Sequence, residues 1–244
     1  MCLAIYKKKG VSINKTLIDN IKTAWSGNSD GAGYSIKLNE GIYTKKGIMT
    51  LDELLNDLKL IGTNEAVIHL RYATSGEIDE GMTHPFNIDS GVDNKKLKET
   101  EFMSNRIMAH NGVLFSPIFD DYSDTAILSR MIARANVERL GAILDNKKLI
   151  DIMGSDRLCF MGHGEETILI GQWHEIDGVS YSNLYTLKDD SGLKWGNSWD
   201  DLDDKECQCI DCKSYDLELV GMHYDVFTCL SCGSIFNDKG FRFY

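Results

Sequence analysis

The chain opens with an apolar stretch that starts at its second residue. Cys2-Leu3-Ala4-Ile5-Tyr6 runs directly into Lys7-Lys8-Lys9, and so short an apolar run is predicted to be a buried β-strand. A strand beginning there is expected to hold the amino terminus inside the structure. A secretion signal has the opposite order, with charges ahead of a longer apolar stretch, so a cytosolic protein is expected. Thiols stay reduced in that compartment. The seven cysteines, five of them between residues 207 and 232, therefore read as thiols and metal ligands.

At 244 residues and 27.4 kDa the chain can build one large domain with a small appendage. An apolar fraction of 43% and only two prolines exclude collagen-like and low-complexity classes. Lys and Arg total 26 against 37 Asp and Glu, a formal charge of −11, so the overall field repels phosphate backbones and anionic lipid. Direct nucleic-acid binding is not expected. No run approaches the roughly 18 apolar residues of a membrane helix.

Hydrophobic spacing sets out an order of strands, helices and strands again. Ser12 is a candidate cap for a helix through Ile13, Leu17, Ile18, Ile21 and Trp25, and Asp30-Gly31-Ala32-Gly33 is a turn into a strand over residues 34–38. Thr50 and Glu53 form a capping box for a second helix to about Leu60. Residues 66–70 form a strand that delivers Arg71 to its end, and residues 74–104 are a long polar excursion with room for a hairpin. A strand at 107–109 ends on His110-Asn111-Gly112. Ser123 or Asp124 caps a helix through Ile132, with more helix around 136–152, and strands follow at 158–161, 167–173 and near 182–187. This order predicts a layered α+β domain in preference to a doubly wound parallel sheet. Domain boundaries are placed at 2–190 for the main domain, 191–206 for an acidic linker and 207–244 for a cysteine-rich module.

Cysteine at position 2 is small enough for the initiator methionine to be removed, which would give one residue both a thiol and a free α-amine. An α-amine titrates near pH 8, so it can take the thiol proton directly or through water, with no separate histidine. The competing reading is a small buried core cysteine.

Four further segments stand in order along the chain: His69-Leu70-Arg71-Tyr72-Ala73-Thr74-Ser75-Gly76, Thr83-His84-Pro85-Phe86, Ala109-His110-Asn111-Gly112 and Ser123-Asp124-Thr125. Together with Cys2 and the 30–33 glycine turn, they resemble the signature segments of the class II glutamine amidotransferase glutaminase domain, over roughly residues 2–187. The resemblance implies the N-terminal nucleophile hydrolase fold, a four-layer αββα sandwich. It further implies Cys2 as nucleophile and an oxyanion hole from the Asn111 side-chain amide and the Gly112 N–H. Arg71 would clamp the α-carboxylate of glutamine, Asp124 would hold its α-ammonium, and Thr74 would line the pocket. Taken singly, Arg71 also reads as a surface ion pair, Asp124 as a helix cap and Asn111-Gly112 as a hairpin turn. Leu3 departs from the glycine that usually follows the nucleophile, and Ser75 stands where some relatives have histidine. His84 reads as a loop-fixing residue, while His69, His110, His163, His174 and His223 read as structural or surface histidines.

Cys209-x-x-Cys212 and Cys229-x-x-Cys232, sixteen residues apart, fit the two-knuckle spacing of a structural zinc site, and Cys207 could replace Cys209. A module of about forty residues cannot hold together by burial alone, so zinc would stabilise it. Cys159 reads as core. Nothing resembles an acceptor-substrate domain, which implies glutamine as substrate and a separate ammonia-accepting synthase as partner. The compact form is similar to stand-alone members, some from bacteriophages, including amidotransferases proposed to serve 7-deazaguanine modification of nucleic acids. Two other readings fit the residues: an N-terminal cysteine amidohydrolase acting on another linear amide, and an inactive zinc-dependent adaptor.

Overall fold

Alternation along the first strand decides the layering. In the computed structural model, β1 (Leu3–Lys7) turns Leu3 and Ile5 to one face and Ala4 and Tyr6 to the other. The structure describes residues 2–73, 78–113, 122–135, 139–147, 150, 156–184, 187–188, 194–195, 217–219, 226–229 and 235–237. The chain divides into two compact units, Met1–Gly196 and Asn197–Tyr244.

In the first unit, β1 sits inside a seven-stranded antiparallel sheet. One flank of β1 is β4 (Ala66–Leu70), which leads on to β2 (Ala32–Lys37), β3 (Ile42–Ile48) and β6 (Glu101–Ser104); the other is β11 (Val179–Tyr181) with β10 (His174–Ile176). A second, four-stranded sheet has the order β5 (Phe86–Asn87), β7 (Arg106–Asn111), β8 (Arg157–Gly162) and β9 (Ile168–Ile170).

Three apolar clusters separate the layers. The outer face of the large sheet, with Leu3, Ile5, Tyr34 and Ile68, packs on α1 (Lys15–Trp25) and α2 (Leu51–Ile61) through Leu17, Ile21, Leu54 and Leu58. The outer face of the small sheet, with Phe86, Met108, Leu158 and Phe160, packs on α4 (Asp124–Arg134) and α5 (Gly141–Asp145) through Leu128, Ile132 and Ile143, with Leu97 of α3 (Asn94–Leu97). Between the sheets lie Ile42, Val67, Ile107, Ala109, Cys159 and Met161. This is the four-layer αββα arrangement, and Cys159 takes the core position predicted for it.

The helix starts follow capping chemistry. Thr50 Oγ1 accepts from Glu53 N as the capping box requires, and Ser123 Oγ accepts from Ala126 N at 3.2 Å. The first helix is capped by Asn14, whose Oδ1 accepts from Leu17 N at 2.8 Å, in place of Ser12. The 34–38 strand starts earlier, at Ala32, so Asp30 and Gly31 alone make the turn; Gly31 takes φ +112°, a conformation open to glycine. Residues 78–104 contain no hairpin among those described. They carry a 3-10 turn (Glu80–Met82), β5, α3 and β6, and β6 adds to the edge of the large sheet beside β3. The strand expected near 182–187 is displaced, with pairing to β1 at 179–181.

Lys46 of β3 ties down that excursion. It is buried, donates to the carbonyls of Gly81 and Leu97 at 2.8 and 2.7 Å, and lies 4.0 Å over the Phe86 ring. Burial lowers its pKa well below the ordinary lysine value.

Beyond β11, the backbones of β12 (Leu187–Lys188) and β13 (Lys194–Trp195) pair antiparallel. The second unit carries a three-stranded antiparallel sheet of β14 (Leu217–Leu219), β15 (Val226–Cys229) and β16 (Ile235–Asn237). Cys229 ends β15, while Cys209, Cys212 and Cys232 lie outside the described residues. Among the described residues no helix is long and apolar enough to cross a membrane.

Candidate active site

Antiparallel register brings the sequence-predicted residues to one end of both sheets. Leu3 faces Leu70 across the β1–β4 pair and Leu70 faces Ala32, so Cys2, Arg71 and Gly31 share one edge. In the small sheet Asn111 faces Arg157, which sets Gly112 beside Asp156 at the same end. The sheets are joined there by His69 Nε2, which donates to the His110 carbonyl at 3.0 Å, and by Asn111 Nδ2, which donates to Ser182 Oγ at 2.9 Å.

The Cys2 sulfur lies against the backbone of Tyr72, 3.3 Å from both its nitrogen and its oxygen. Burial pushes the thiol pKa up; the Tyr72 hydrogen bond and the positive charge of Arg71 oppose that, and Asp124 adds to it. The sulfur therefore sits in the fields of a buried cation and a buried anion at once. Arg71 is only 3% exposed, which removes the surface ion-pair reading. Burial lowers its pKa, while Cys2, Asp30, Asp79 and Asp124 raise it.

Asp124 is the first residue of α4 and is buried. Because Ser123 is the cap, Asp124 is relieved of that duty; its Oδ1 accepts from the Thr125 N–H at 2.7 Å. A carboxylate at that point is also stabilised by the positive end of the helix. Thr74 lies outside the described residues.

Asn111 ends β7, paired with Arg157, and Gly112 follows it; the two do not form a hairpin turn. A Cβ at Gly112 would stand closer than 3.0 Å to Cγ and both carboxylate oxygens of Asp156, so any larger residue must displace that carboxylate or the backbone. Asp156 Oδ2 accepts from His110 Nε2 at 3.1 Å, and His110 Nδ1 meets Thr125 Oγ1 at 2.8 Å. Thr125 Oγ1 in turn lies 3.2 Å from Asp124 Oδ1. One hydrogen-bonded chain thus runs from behind Gly112 to the buried acid at the start of α4.

Three histidines lie behind the edge. His69 and His84 stack with ring centroids 4.0 Å apart, and His84 Nδ1 accepts from His110 N at 3.4 Å. Burial lowers the His69 pKa to about 3 and that of His84 well below the usual histidine value, which leaves both neutral and unsuited to a base. His84 holds the loop, as expected. His110 is a buried structural histidine, as expected, hydrogen-bonded at both ring nitrogens.

Sequence reasoning missed Ser182, Asn183 and Asp156. Ser182 Oγ accepts from both Ala4 N and Asn111 Nδ2, and Asn183 Nδ2 donates to the Cys2 carbonyl at 2.8 Å. Ser-Asn after an apolar strand carries no signal beyond a turn; only the pairing of β11 with β1 reveals the roles. Among the described residues no cluster of three or more His, Cys, Asp or Glu side chains could hold a metal.

No family model and no curated protein matches this sequence. Among solved structures, the chain is similar to glutamine phosphoribosylpyrophosphate amidotransferase from B. subtilis complexed with ADP and GMP, at 16% identity and TM-score 0.47, over 74% of this chain and 40% of that one. A structure described as the allosteric regulatory enzyme of purine biosynthesis matches at 18% identity and TM-score 0.47, over 74% of this chain and 41% of its own. The chain spans about two fifths of the length of each.

Proposed function

We propose that the first unit is a glutaminase of the class II amidotransferase type. The observation that carries this reading is that the strand registers bring Cys2, Arg71, Asn111 and Gly112 to one end of the two sheets, where buried Asp124 is tied to His110 through Thr125. A free amino acid is a zwitterion, and a buried cation and a buried anion beside one thiol suit its two ends.

In this reading Met1 is removed and the α-amine of Cys2 takes the thiol proton. The sulfur bonds to the side-chain amide carbon of glutamine, and the oxygen that gains charge is held by Asn111 Nδ2 and the Gly112 N–H. The C–N bond then breaks, the amine returns its proton to the departing nitrogen, and ammonia leaves. Water adds to the γ-glutamyl thioester with the amine as base, releasing glutamate and the thiol. Ammonia would pass to a separate synthase, with nucleobase modification as one acceptor chemistry. The four cysteines at 209, 212, 229 and 232 would hold one structural zinc in the second unit.

The test is intact-mass analysis after incubation with 6-diazo-5-oxonorleucine, an electrophile shaped like glutamine. A single adduct on Cys2, prevented by excess glutamine and absent in Cys2→Ala, is expected alongside glutamate release by the unmodified chain. Release of glutamate by Cys2→Ala at the parental rate overturns the reading. Equal turnover of glutamine and its N-acetylated amide would instead favour an amidohydrolase of wider scope.

A further inference from the structure

Asn183 follows β11 and is 5% exposed. Its Nδ2 donates to the Cys2 carbonyl at 2.8 Å, and because a carbonyl only accepts, the orientation of the amide is fixed. Oδ1 lies on the other side of the amide, buried and with no hydrogen-bond partner among the described residues. An acceptor left so costs about 1–3 kcal/mol, and buried polar atoms in native structures are nearly always paired.

The register says what stands opposite it. In a strand the N–H and C=O of one residue point to the same side, and residues two apart share that side. Ala4 turns both groups toward the β11 segment: its nitrogen donates to Ser182 Oγ, and its oxygen accepts from Ser182 N, each at 2.9 Å. Cys2, two residues earlier, turns its oxygen the same way; strand geometry sends its nitrogen to that side too, where, as a peptide nitrogen, it makes no bond to Oδ1. Asn183 already holds the oxygen. A side-chain amide presents a donor and an acceptor in one plane, with the spacing of the C=O and N–H of a single extended residue.

We propose that Asn183 is the positioning residue for the α-amine of Cys2, its Oδ1 accepting a hydrogen bond from that nitrogen while its Nδ2 holds the Cys2 carbonyl. The inference rests on the glutaminase reading with Met1 removed. A terminal amine rotates freely about its bond to Cα, and a base works only when its lone pair faces the proton. One fixed acceptor stops that rotation. The charged side chains that act on the neighbouring Cys2 thiol are Arg71 after β4 and Asp124 of α4. Tyr181, Ser182 and Asn183, on the β11 side, carry no charge.

The experiment follows the amine directly. Protein labelled with 13C-cysteine is titrated by NMR, reading the Cys2 Cα resonance in the parent, Asn183→Asp and Asn183→Leu, with glutamate release measured in parallel. Asn183→Asp places a carboxylate where Oδ1 lies and is expected to raise the amine midpoint by about one pH unit or more. The acid limb of the kcat/KM profile should move with it. Asn183→Leu is expected to lower kcat about ten-fold or more with KM nearly unchanged, whereas a merely structural role would move neither midpoint nor limb. Coincident midpoints in the parent and Asn183→Asp, or an intact mass that retains Met1, overturn the proposal. A shifted midpoint in a chain that releases no glutamate sustains Asn183 and rejects the glutaminase.

Discussion

Gly112→Ala is the substitution whose cost can be worked most directly from the structure. The new methyl would stand inside the contact distance of all three terminal atoms of the Asp156 side chain. Either the end of β7 or that carboxylate must shift, and overpacking of this kind costs about 1–3 kcal/mol. Asp156 also accepts from His110 Nε2 at 3.1 Å in a buried setting, and loss of a hydrogen bond to a charged group adds about 1.5–3 kcal/mol. The sum, about 2.5–6 kcal/mol, corresponds to a melting temperature lower by roughly 5–24 °C in a unit of this size. On the proposed role of the Gly112 N–H, its displacement should lower glutamate release, at most by the roughly hundred- to thousand-fold typical of a lost oxyanion donor. Thermal melts of the parent, Gly112→Ala, Asp156→Ala and the double variant separate the causes. With Asp156 truncated the methyl has room, so the double variant should melt close to Asp156→Ala alone. A Gly112→Ala protein that melts within about 2 °C of the parent, or strictly additive losses in the double variant, would refute the reasoning.

Acid should destabilise the fold through its neutral histidines. Burial holds His69 at about 3 against an unfolded value near 6.5, so between those values the unfolded chain binds a proton that the folded one does not. Stability therefore rises with pH across that window and is lost as pH falls below about 6.5, by up to about 1.4 kcal/mol per pH unit. His84 acts in the same direction. Urea midpoints between pH 7 and 5 should fall less steeply in His69→Gln, and equal slopes would count against this account. Arg71→Lys keeps a charge but loses the guanidinium fork, so KM for glutamine should rise about ten-fold or more while iodoacetamide still modifies Cys2; an unchanged KM would remove Arg71 from substrate binding. Metal analysis should find about one zinc per chain, and a chelator should loosen residues from 207 onward while glutamate release continues. Loss of hydrolysis on chelation would contradict that separation of roles.

Local chemistry made part of this structure legible. Thr50 with Glu53, Ser123 before an amphipathic run, and the apolar strands at 3–7, 66–70 and 157–162 are governed by neighbouring residues, and the structure follows them. β3 escaped notice because Tyr43-Thr44-Lys45-Lys46-Gly47 hides its alternation. Lys46 is an inward position, held by carbonyls that arrive from residues 81 and 97. β6 escaped for a related reason: Glu101 and Met103 face solvent at a sheet edge, so little apolar pattern marks it. At the site, Cys2, Arg71, Asn111, Gly112 and Asp124 were readable because short motifs surround them. Asp156, Ser182 and Asn183 were not, because each acquires its part only from a residue far away in sequence.

The placement of β1 also governs the order in which this protein can be made. Its two flanking strands come from very different times in synthesis: β4 pairs with it after about a quarter of the chain, but Ala4 and Ser182 are separated by 178 positions. On a ribosome adding about 5–20 residues each second, the first strand must wait many seconds for β11, with one flank of hydrogen-bonding groups unpaired. Closing so long a loop before any contact rewards it makes the step slow and exposed to mispairing. A nascent chain halted before residue 179 would hold the cysteine, the arginine and the acid, yet lack the strand that fastens the first one beside them.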